Sequence, residues 1–149
     1  MDEDVLNQNI ISLWQEENIS RGIRAEGKSM YPLIKHGDTI KICFVKPGNV
    51  STGDVVAFRR NGTIVVHRLI RQIPGGFIEK GDFQLRGTSI SPDIIFGKVD
   101  LQPCSISRFM VKCGYLVHKF GRLAKPVLYF QFLINAGTRI YSKLFKNKQ

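Results

Sequence analysis

The spacing of apolar residues changes twice along the chain. Near the N-terminus they recur at Leu6, Ile10, Leu13 and Trp14, which is the spacing of one helix face, and acidic residues occupy the first turn. This pattern predicts a helix over residues 4–18. The middle of the chain consists of short runs rich in β-branched and aromatic residues, which is typical of strands. The predicted strands are 39–45, 54–60, 63–66, 77–79, 94–99 and 104–110.

Turn residues separate these strands. Asn61-Gly62 lies between two β-rich runs and is a strong signal for a two-residue hairpin. Pro74-Gly75-Gly76 predicts another turn. Several short strands with frequent turns indicate a mainly β domain, built as a coiled antiparallel sheet or a barrel-like structure.

From about residue 111 the pattern becomes helical again. After Pro126 one face collects apolar residues and the opposite face collects bases, which predicts a basic amphipathic helix. The apolar positions are Val127, Phe130, Ile134, Tyr141 and Phe145, and the basic ones are Arg139, Lys143 and Lys146. Such a helix either binds a membrane interface or packs on its own sheet or on a partner chain. The chain thus divides into a β-rich domain, residues 1–110, and a helical tail, residues 111–149.

Charge is distributed unevenly. Residues 1–26 carry six acids and two bases, whereas residues 101–149 carry nine bases and no acid. A basic tail favours an anionic partner, either nucleic acid or anionic lipid. We expect no nucleic acid, because nothing resembling a helix-turn-helix precedes the β domain and the tail aromatics belong to the apolar stripe. No run of 18 apolar residues is present, so no segment is predicted to span a bilayer.

The three cysteines, Cys43, Cys104 and Cys113, are odd in number and contain no CxxC pair. They therefore indicate neither a disulfide framework nor a zinc site, and they fit a reducing compartment. The N-terminus has no positive segment followed by an apolar one, so it is not a secretory signal. We expect a cytoplasmic protein at the inner face of the membrane, with no metal and no cofactor.

Candidate chemistry begins at Ser29, in a tight loop ahead of the β-rich region. His67 follows in a predicted strand and Asp82 in a turn. Serine, histidine and aspartate are the components of nucleophilic acyl transfer. Each also has a structural explanation: serine and aspartate favour turns, and a single histidine on an apolar strand face is usually a core residue.

The local sequence around these residues resembles the signal peptidase I superfamily of serine proteases, which includes repressor-type autoproteases. The matching segments stand in the family's order: Ser29-Met30-Tyr31-Pro32-Leu33, Gly37-Asp38, Gly53-Asp54, His67-Arg68, Lys80-Gly81-Asp82 and Gly97-Lys98-Val99. The His-Arg pair is similar to the branch that uses histidine as the base. Residues 1–110 are then the catalytic domain, and the tail is expected to contribute no catalytic group.

The resemblance implies a role for each residue. Ser29 is the nucleophile, His67 is the general base, and Asp82 is the first choice for the carboxylate that orients the imidazole, with Asp93 as the alternative. The family's second carboxylate has no counterpart near Thr88. Gly27 stands where some relatives place a hydroxyl, so oxyanion stabilisation would rest on backbone amides. Substrate would bind as an added strand, with shallow pockets formed by Met30, Leu33 and Phe58.

The sequence thus predicts a serine endopeptidase that cleaves a leader or precursor peptide through an acyl-enzyme, acting at an anionic membrane surface. Two alternatives stay open. The missing carboxylate near Thr88 allows a catalytically inactive peptide-binding protein, and the basic tail allows a β module that binds nucleic acid.

Overall fold

Seven antiparallel strands form one open sheet in the computed structural model, which describes residues 3–101 and 107–146. The strands are β1 Ser20–Arg24, β2 Thr39–Phe44, β3 Val55–Arg60, β4 Thr63–Ile73, β5 Gly76–Lys80, β6 Thr88–Ile90 and β7 Ile95–Val99. Their order across the sheet is β1-β2-β7-β3-β4-β5-β6. The mainly β fold predicted from the sequence is confirmed.

The β3–β4 hairpin turns at the predicted dipeptide. Asn61 and Gly62 have φ values of 50° and 73°, and two consecutive positive φ angles give the backbone twist that a two-residue hairpin needs. Below this turn β3 pairs with β4 from Arg60↔Thr63 to Val55↔Arg68. This register places His67 opposite Val56, near the middle of the sheet.

Most buried apolar side chains of the described sheet belong to two clusters. One contains Met30, Ile34, Ile40, Ile42, Phe44, Val55, Ala57, Phe96 and Val99, and the other contains Val50, Val56, Phe58, Leu69, Phe77, Ile90 and Ile95. Val55 and Val56 are neighbours on one strand and belong to different clusters, because successive strand residues point to opposite faces of a sheet. The N-terminal helix α1, Glu3–Glu16, covers the first cluster, where Trp14 packs edge-on to Phe44 at 4.9 Å.

Two strands and one helix differ from the sequence prediction. β1 and β6 were not predicted, since one is polar and mostly exposed and the other has three residues. The predicted strand 104–110 is wrong over residues 107–110, which begin helix α2, Ser107–Phe120. Residues 104–106 lie outside the described residues. Met110, Cys113 and Val117 are buried, and this helical spacing explains the outcome.

Helix α3, Lys125–Lys146, confirms the helix predicted after Pro126. Its buried face, however, is not the predicted apolar stripe: Gln131 and Asn135 are buried, while Phe130 is 53 % exposed. The side chains of Arg139, Tyr141, Lys143, Phe145 and Lys146 lie outside the described residues. The tail packs on the β domain, since Arg71 donates to the Tyr115 hydroxyl at 2.8 Å and the Gly87 N–H donates to His118 Nδ1 at 3.0 Å.

Close strand packing accounts for the glycine of the Gly97-Lys98-Val99 segment. A Cβ at Gly97 would lie 2.5 Å from Ile42 Cγ2 and 3.0 Å from the Cys43 carbonyl oxygen. We therefore expect Gly97→Ala to lower the free energy of unfolding by about 1–3 kcal/mol through overpacking. Gly48→Ala is the matched control, since no heavy atom lies within 4 Å of its Cβ position. Equal stability of the two variants in urea unfolding would contradict this explanation.

Candidate active site

A groove with a volume of about 790 Å³ runs between the end of β1 and the first half of β4. Residues 23–27 line one side of the groove and residues 62–67 line the other, and Ser29, Met30, Ile34, Ile40, Arg60 and Gln84 complete it. β1 is an edge strand, and β5 pairs with β4 only from Arg68 onward. In the described pairings, β1 and residues 63–67 thus each have one edge without a strand neighbour. Free edges can accept an extended peptide by strand addition.

Ser29 lies in a turn that is held against a second turn. The Ser29 carbonyl oxygen accepts a hydrogen bond from the Phe83 N–H at 2.8 Å. A Cβ on Gly81 would lie 2.9 Å from Ser29 Cβ and 2.7 Å from Ser29 O, so only glycine allows this approach. Gly27, two residues before Ser29, has a φ of 81°, which favours glycine at that position too.

His67 points from β4 towards the second cluster, where a carboxylate contacts it. His67 Nδ1 forms a hydrogen bond with Glu79 Oε2, and the imidazole packs edge-on to Phe58 with 6.1 Å between ring centroids. The other carboxylate oxygen of Glu79 accepts a hydrogen bond from Arg60 Nη2 at 2.8 Å. This set leaves Nε2 as the imidazole nitrogen available to a nucleophile. The hydrogen bonds of the described residues do not join Ser29 Oγ to His67, although both residues line the groove. Catalytic hydrogen bonds are often long before substrate binds.

Asp82 has a different set of partners. Its two carboxylate oxygens accept from Arg68 Nε and Nη2, both at 2.9 Å, and Asn135 Nδ2 donates to Oδ2 at 3.1 Å. Arg68 and His67 are consecutive on β4, so their side chains point to opposite sheet faces. The described contacts therefore connect Asp82 to Arg68 and α3 rather than to the imidazole.

Burial and charge compete at each of these groups. Burial alone would raise the pKa of Glu79, but hydrogen bonds and charges from His67 and Arg60 outweigh it and hold that pKa below its ordinary value. Burial would likewise raise the pKa of Asp82, which Arg68, Lys80 and Asn135 together keep low. Burial also opposes the charged form of Arg68, yet Asp82 raises its pKa. Both carboxylates are accordingly ionised at neutral pH.

The groove gathers some of the predicted site residues and leaves others outside. Ser29, His67 and Met30 line it, whereas Leu33 packs against the first cluster and Phe58 is fully buried in the second. Asp93 is exposed in a 3-10 turn, where it accepts from the Ser91 hydroxyl at 2.8 Å. No group of three or more histidine, cysteine or acidic side chains among the described residues could hold a metal ion.

Sequence reasoning did not select Glu79. The available signal was strand parity. Leu69 on β4 pairs with Glu79 on β5, and His67 is two residues before Leu69. The two side chains therefore share a face and are diagonal neighbours. That register could not be read from the sequence, since β4 and β5 shift by one residue between Leu69 and Arg71. Glu79 directly precedes Lys80-Gly81-Asp82, but the sequence prediction selected Asp82, the aspartate of that motif.

The family of the chain follows from comparison with known protein families. Residues 5–79 match the Peptidase S24-like family, and the match includes Ser29, His67 and Glu79 but ends before Asp82. The chain belongs to this family, which suggests a serine peptidase and confirms the resemblance to the signal peptidase and repressor-autoprotease superfamily. A comparison with curated proteins gave no match.

Lys80 is buried beside this site, and its ammonium donates to the Gly81 carbonyl oxygen at 3.0 Å. Burial lowers its pKa from 10.5 to about 8, with Arg68 acting in the same direction and Asp82 and Glu79 opposing. Between these pH values the unfolded chain binds a proton that the folded protein does not, so stability rises with pH.

Between pH 8 and 10.5, we expect the free energy of unfolding of the wild-type protein to rise by on the order of 3 kcal/mol relative to that of Lys80→Met. Denaturant unfolding at several pH values measures this gain. Exposed Lys46→Met serves as the control and should show no such change. A constant difference between wild type and Lys80→Met would mean that Lys80 keeps its proton.

Proposed function

We propose that this protein is a serine endopeptidase in which Ser29 attacks a peptide bond and His67 accepts the Ser29 proton. The single observation that carries the proposal is that a serine on a glycine-backed turn and a histidine oriented by a buried carboxylate line the same groove. A serine hydroxyl is a weak nucleophile without such a base.

The proposed reaction proceeds in two steps. Ser29 Oγ adds to the scissile carbonyl while its proton passes to His67 Nε2, and the tetrahedral oxyanion is stabilised by backbone amides. The carbon–nitrogen bond then breaks as the imidazolium delivers that proton to the leaving amine. In the second step water attacks the acyl-enzyme with the same base, which releases the acid product and regenerates Ser29.

The groove favours an extended peptide as substrate. A strand inserted between β1 and the first half of β4 would pair with backbone groups on both sides, and alternate side chains would meet Met30, Ile34 and Ile40. We infer that the substrate is a leader or precursor peptide with a flexible segment at the cleavage point. Only such a segment can adopt the extended conformation without unfolding a domain.

Within this proposal Glu79 is the residue that orients His67. A carboxylate on Nδ1 fixes the tautomer in which Nε2 can accept a proton, and it stabilises the imidazolium that forms. Asp82 was the first choice from the sequence for this orienting role. It contacts Arg68 and Asn135 instead and would hold the 81–83 turn in place next to Ser29.

The C-terminal hairpin, which consists of helices α2 and α3, supports a second part of the proposal, peripheral binding to an anionic membrane. Large apolar side chains are exposed on it, among them Leu123 at 87 %, Tyr129 at 66 % and Ile140 at 60 %. The exposed bases Lys112, Lys119, Arg122 and Lys125 accompany them, and the described part of the hairpin, residues 107–146, contains no acid. This combination suits a helix lying in a lipid interface. Among the described residues, no helix has the length and apolarity needed to cross a membrane.

Cleavage assays test the catalytic proposal directly. Ser29→Ala should abolish peptide cleavage, with a loss of up to ~10⁶ in kcat, while the fold is retained. His67→Ala should do the same, and His36→Ala should not, since His36 is an exposed loop residue. Turnover by a folded Ser29→Ala protein would exclude the mechanism. A wild-type protein that binds peptides and never cleaves them would support the inactive alternative instead.

Kinetics of three carboxylate variants separate Glu79 from the two aspartates. Glu79→Gln should lower kcat/KM by up to ~10⁴, because the amide no longer fixes the imidazole tautomer or stabilises the imidazolium that forms. Asp82→Asn should lower kcat/KM less than Glu79→Gln does, and Asp93→Asn should have the smallest effect of the three. If Asp82→Asn is the most damaging change at equal stability, Asp82 is the orienting carboxylate.

Vesicle sedimentation tests the membrane proposal. The full chain should bind anionic phosphatidylserine vesicles and lose affinity in high salt, with each base near the surface contributing ~1 kcal/mol. A triple serine variant at Leu123, Tyr129 and Ile140 should bind more weakly. Ile94→Ser is the matched control, since Ile94 is exposed away from the hairpin. If the wild-type protein stays in the supernatant at low salt, the membrane proposal fails, and the tail is a packing element or a partner-binding helix.

A further inference from the structure

Helix α3 buries two amide side chains. Asn135 is 3 % exposed and Gln131, one turn earlier, is 1 % exposed, while Tyr129 and Leu133 face outward. A helix that packs only for stability buries its apolar residues, because buried amides lose hydration. The Gln131 amide has no hydrogen-bond partner among the described residues. The two buried amides therefore call for an explanation other than stability.

Asn135 connects this face to the candidate active site. Its Nδ2 donates to Asp82 Oδ2, and Asp82 is in turn held by the two hydrogen bonds from Arg68. The residues on either side of Asp82 contact the nucleophile turn. Gly81 packs against Ser29 Cβ, and the Phe83 N–H binds the Ser29 carbonyl. Asn135 is thus connected to Ser29 through the side chain of Asp82 and the 81–83 turn.

Aromatic contacts follow the same path. Phe132 of α3 lies 5.6 Å from Tyr31 and 6.2 Å from Phe83, measured between ring centroids, and Tyr31 and Phe83 are themselves 6.2 Å apart. Tyr31 follows Ser29 by two residues, and Phe83 follows Asp82 directly. Helix α3 therefore contacts both turns at once and fixes their separation.

We propose that Asn135 is a positioning residue for the peptidase: it holds Asp82, and through the 81–83 turn it sets the backbone of Ser29. This inference rests on the proposed function and extends it to the tail, which was expected from the sequence to contribute no catalytic group. Because the Ser29 backbone would carry the oxyanion donor, a displaced turn should lower kcat more than it changes KM.

The test compares Asn135→Leu with Gln131→Leu in the full-length protein. Both remove a buried amide from the same helix face, and only Asn135 contacts Asp82. We expect Asn135→Leu to lower kcat about tenfold with little change in KM, because a small displacement of the Ser29 turn misplaces the reacting groups. Gln131→Leu should keep wild-type kcat. Equal kcat values for the two variants would overturn the proposal.

A second readout is independent of catalysis. Amide hydrogen exchange at Phe83 should accelerate about tenfold in Asn135→Leu and stay unchanged in Gln131→Leu, because only the first variant frees the turn that Phe83 closes. If wild type cleaves no peptide, the proposed function fails, and the exchange data still decide whether Asn135 positions the turn. Unchanged exchange at Phe83 would exclude that role.

A double-mutant cycle completes the test. In an Asp82→Asn background, Asn135→Leu should have little further effect on kcat, because the contact through which it acts is already weakened. Additive losses would show that Asn135 acts by another route and would contradict the proposal. Asn135→Ser replaces Asn135→Leu if the leucine variant fails to fold, with the same expected direction.

Discussion

The buried contact between His67 and Glu79 is the interaction on which the arrangement of the candidate site depends. Glu79 is 1 % exposed, so its charge is tolerated only because the His67 imidazole and the Arg60 guanidinium both contact it. The three residues come from β5, β4 and β3, respectively. A one-residue shift of β4 against β5 would turn His67 or Glu79 to the opposite face of the sheet and remove the contact between them. The pair therefore requires the same strand register that places His67 beside the groove.

Ser29, the proposed nucleophile, is held by a separate set of contacts. It lies in a turn, and turns are the more mobile parts of most domains. Here the 81–83 turn restrains Ser29 through glycine packing and one backbone hydrogen bond, and α3 covers both turns. His67 is thus fixed by strand pairing, and Ser29 is fixed by turn–turn and helix contacts. An arrangement of this kind provides the rigid support that the proposed reaction requires.

The sequence predicted those parts of the molecule that depend on local rules. The Asn61-Gly62 hairpin, the helices at 4–18 and after Pro126, and the serine and histidine of the groove all follow from short patterns. Glu79 could not be predicted, because its role depends on the β4–β5 register shift. The buried amides of α3 could not be predicted either, because the amphipathic rule expects apolar residues on the buried face. The contact of Asn135 with Asp82 depends on the tertiary structure and not on hydropathy. Residues 104–110 were predicted as a strand because so short an apolar run does not distinguish the strand period from the helix period.

The tautomer of His67 tests the central contact most directly. In ¹⁵N-labelled protein, long-range proton–nitrogen NMR at a pH where the imidazole is neutral distinguishes Nδ1–H from Nε2–H. We predict Nδ1–H for His67, because Glu79 accepts at that nitrogen, and Nε2–H for His118, whose Nδ1 accepts from the Gly87 N–H. His118 thus serves as an internal control in the same spectrum. An Nε2–H tautomer at His67 would contradict the account, since that nitrogen could not then accept the Ser29 proton.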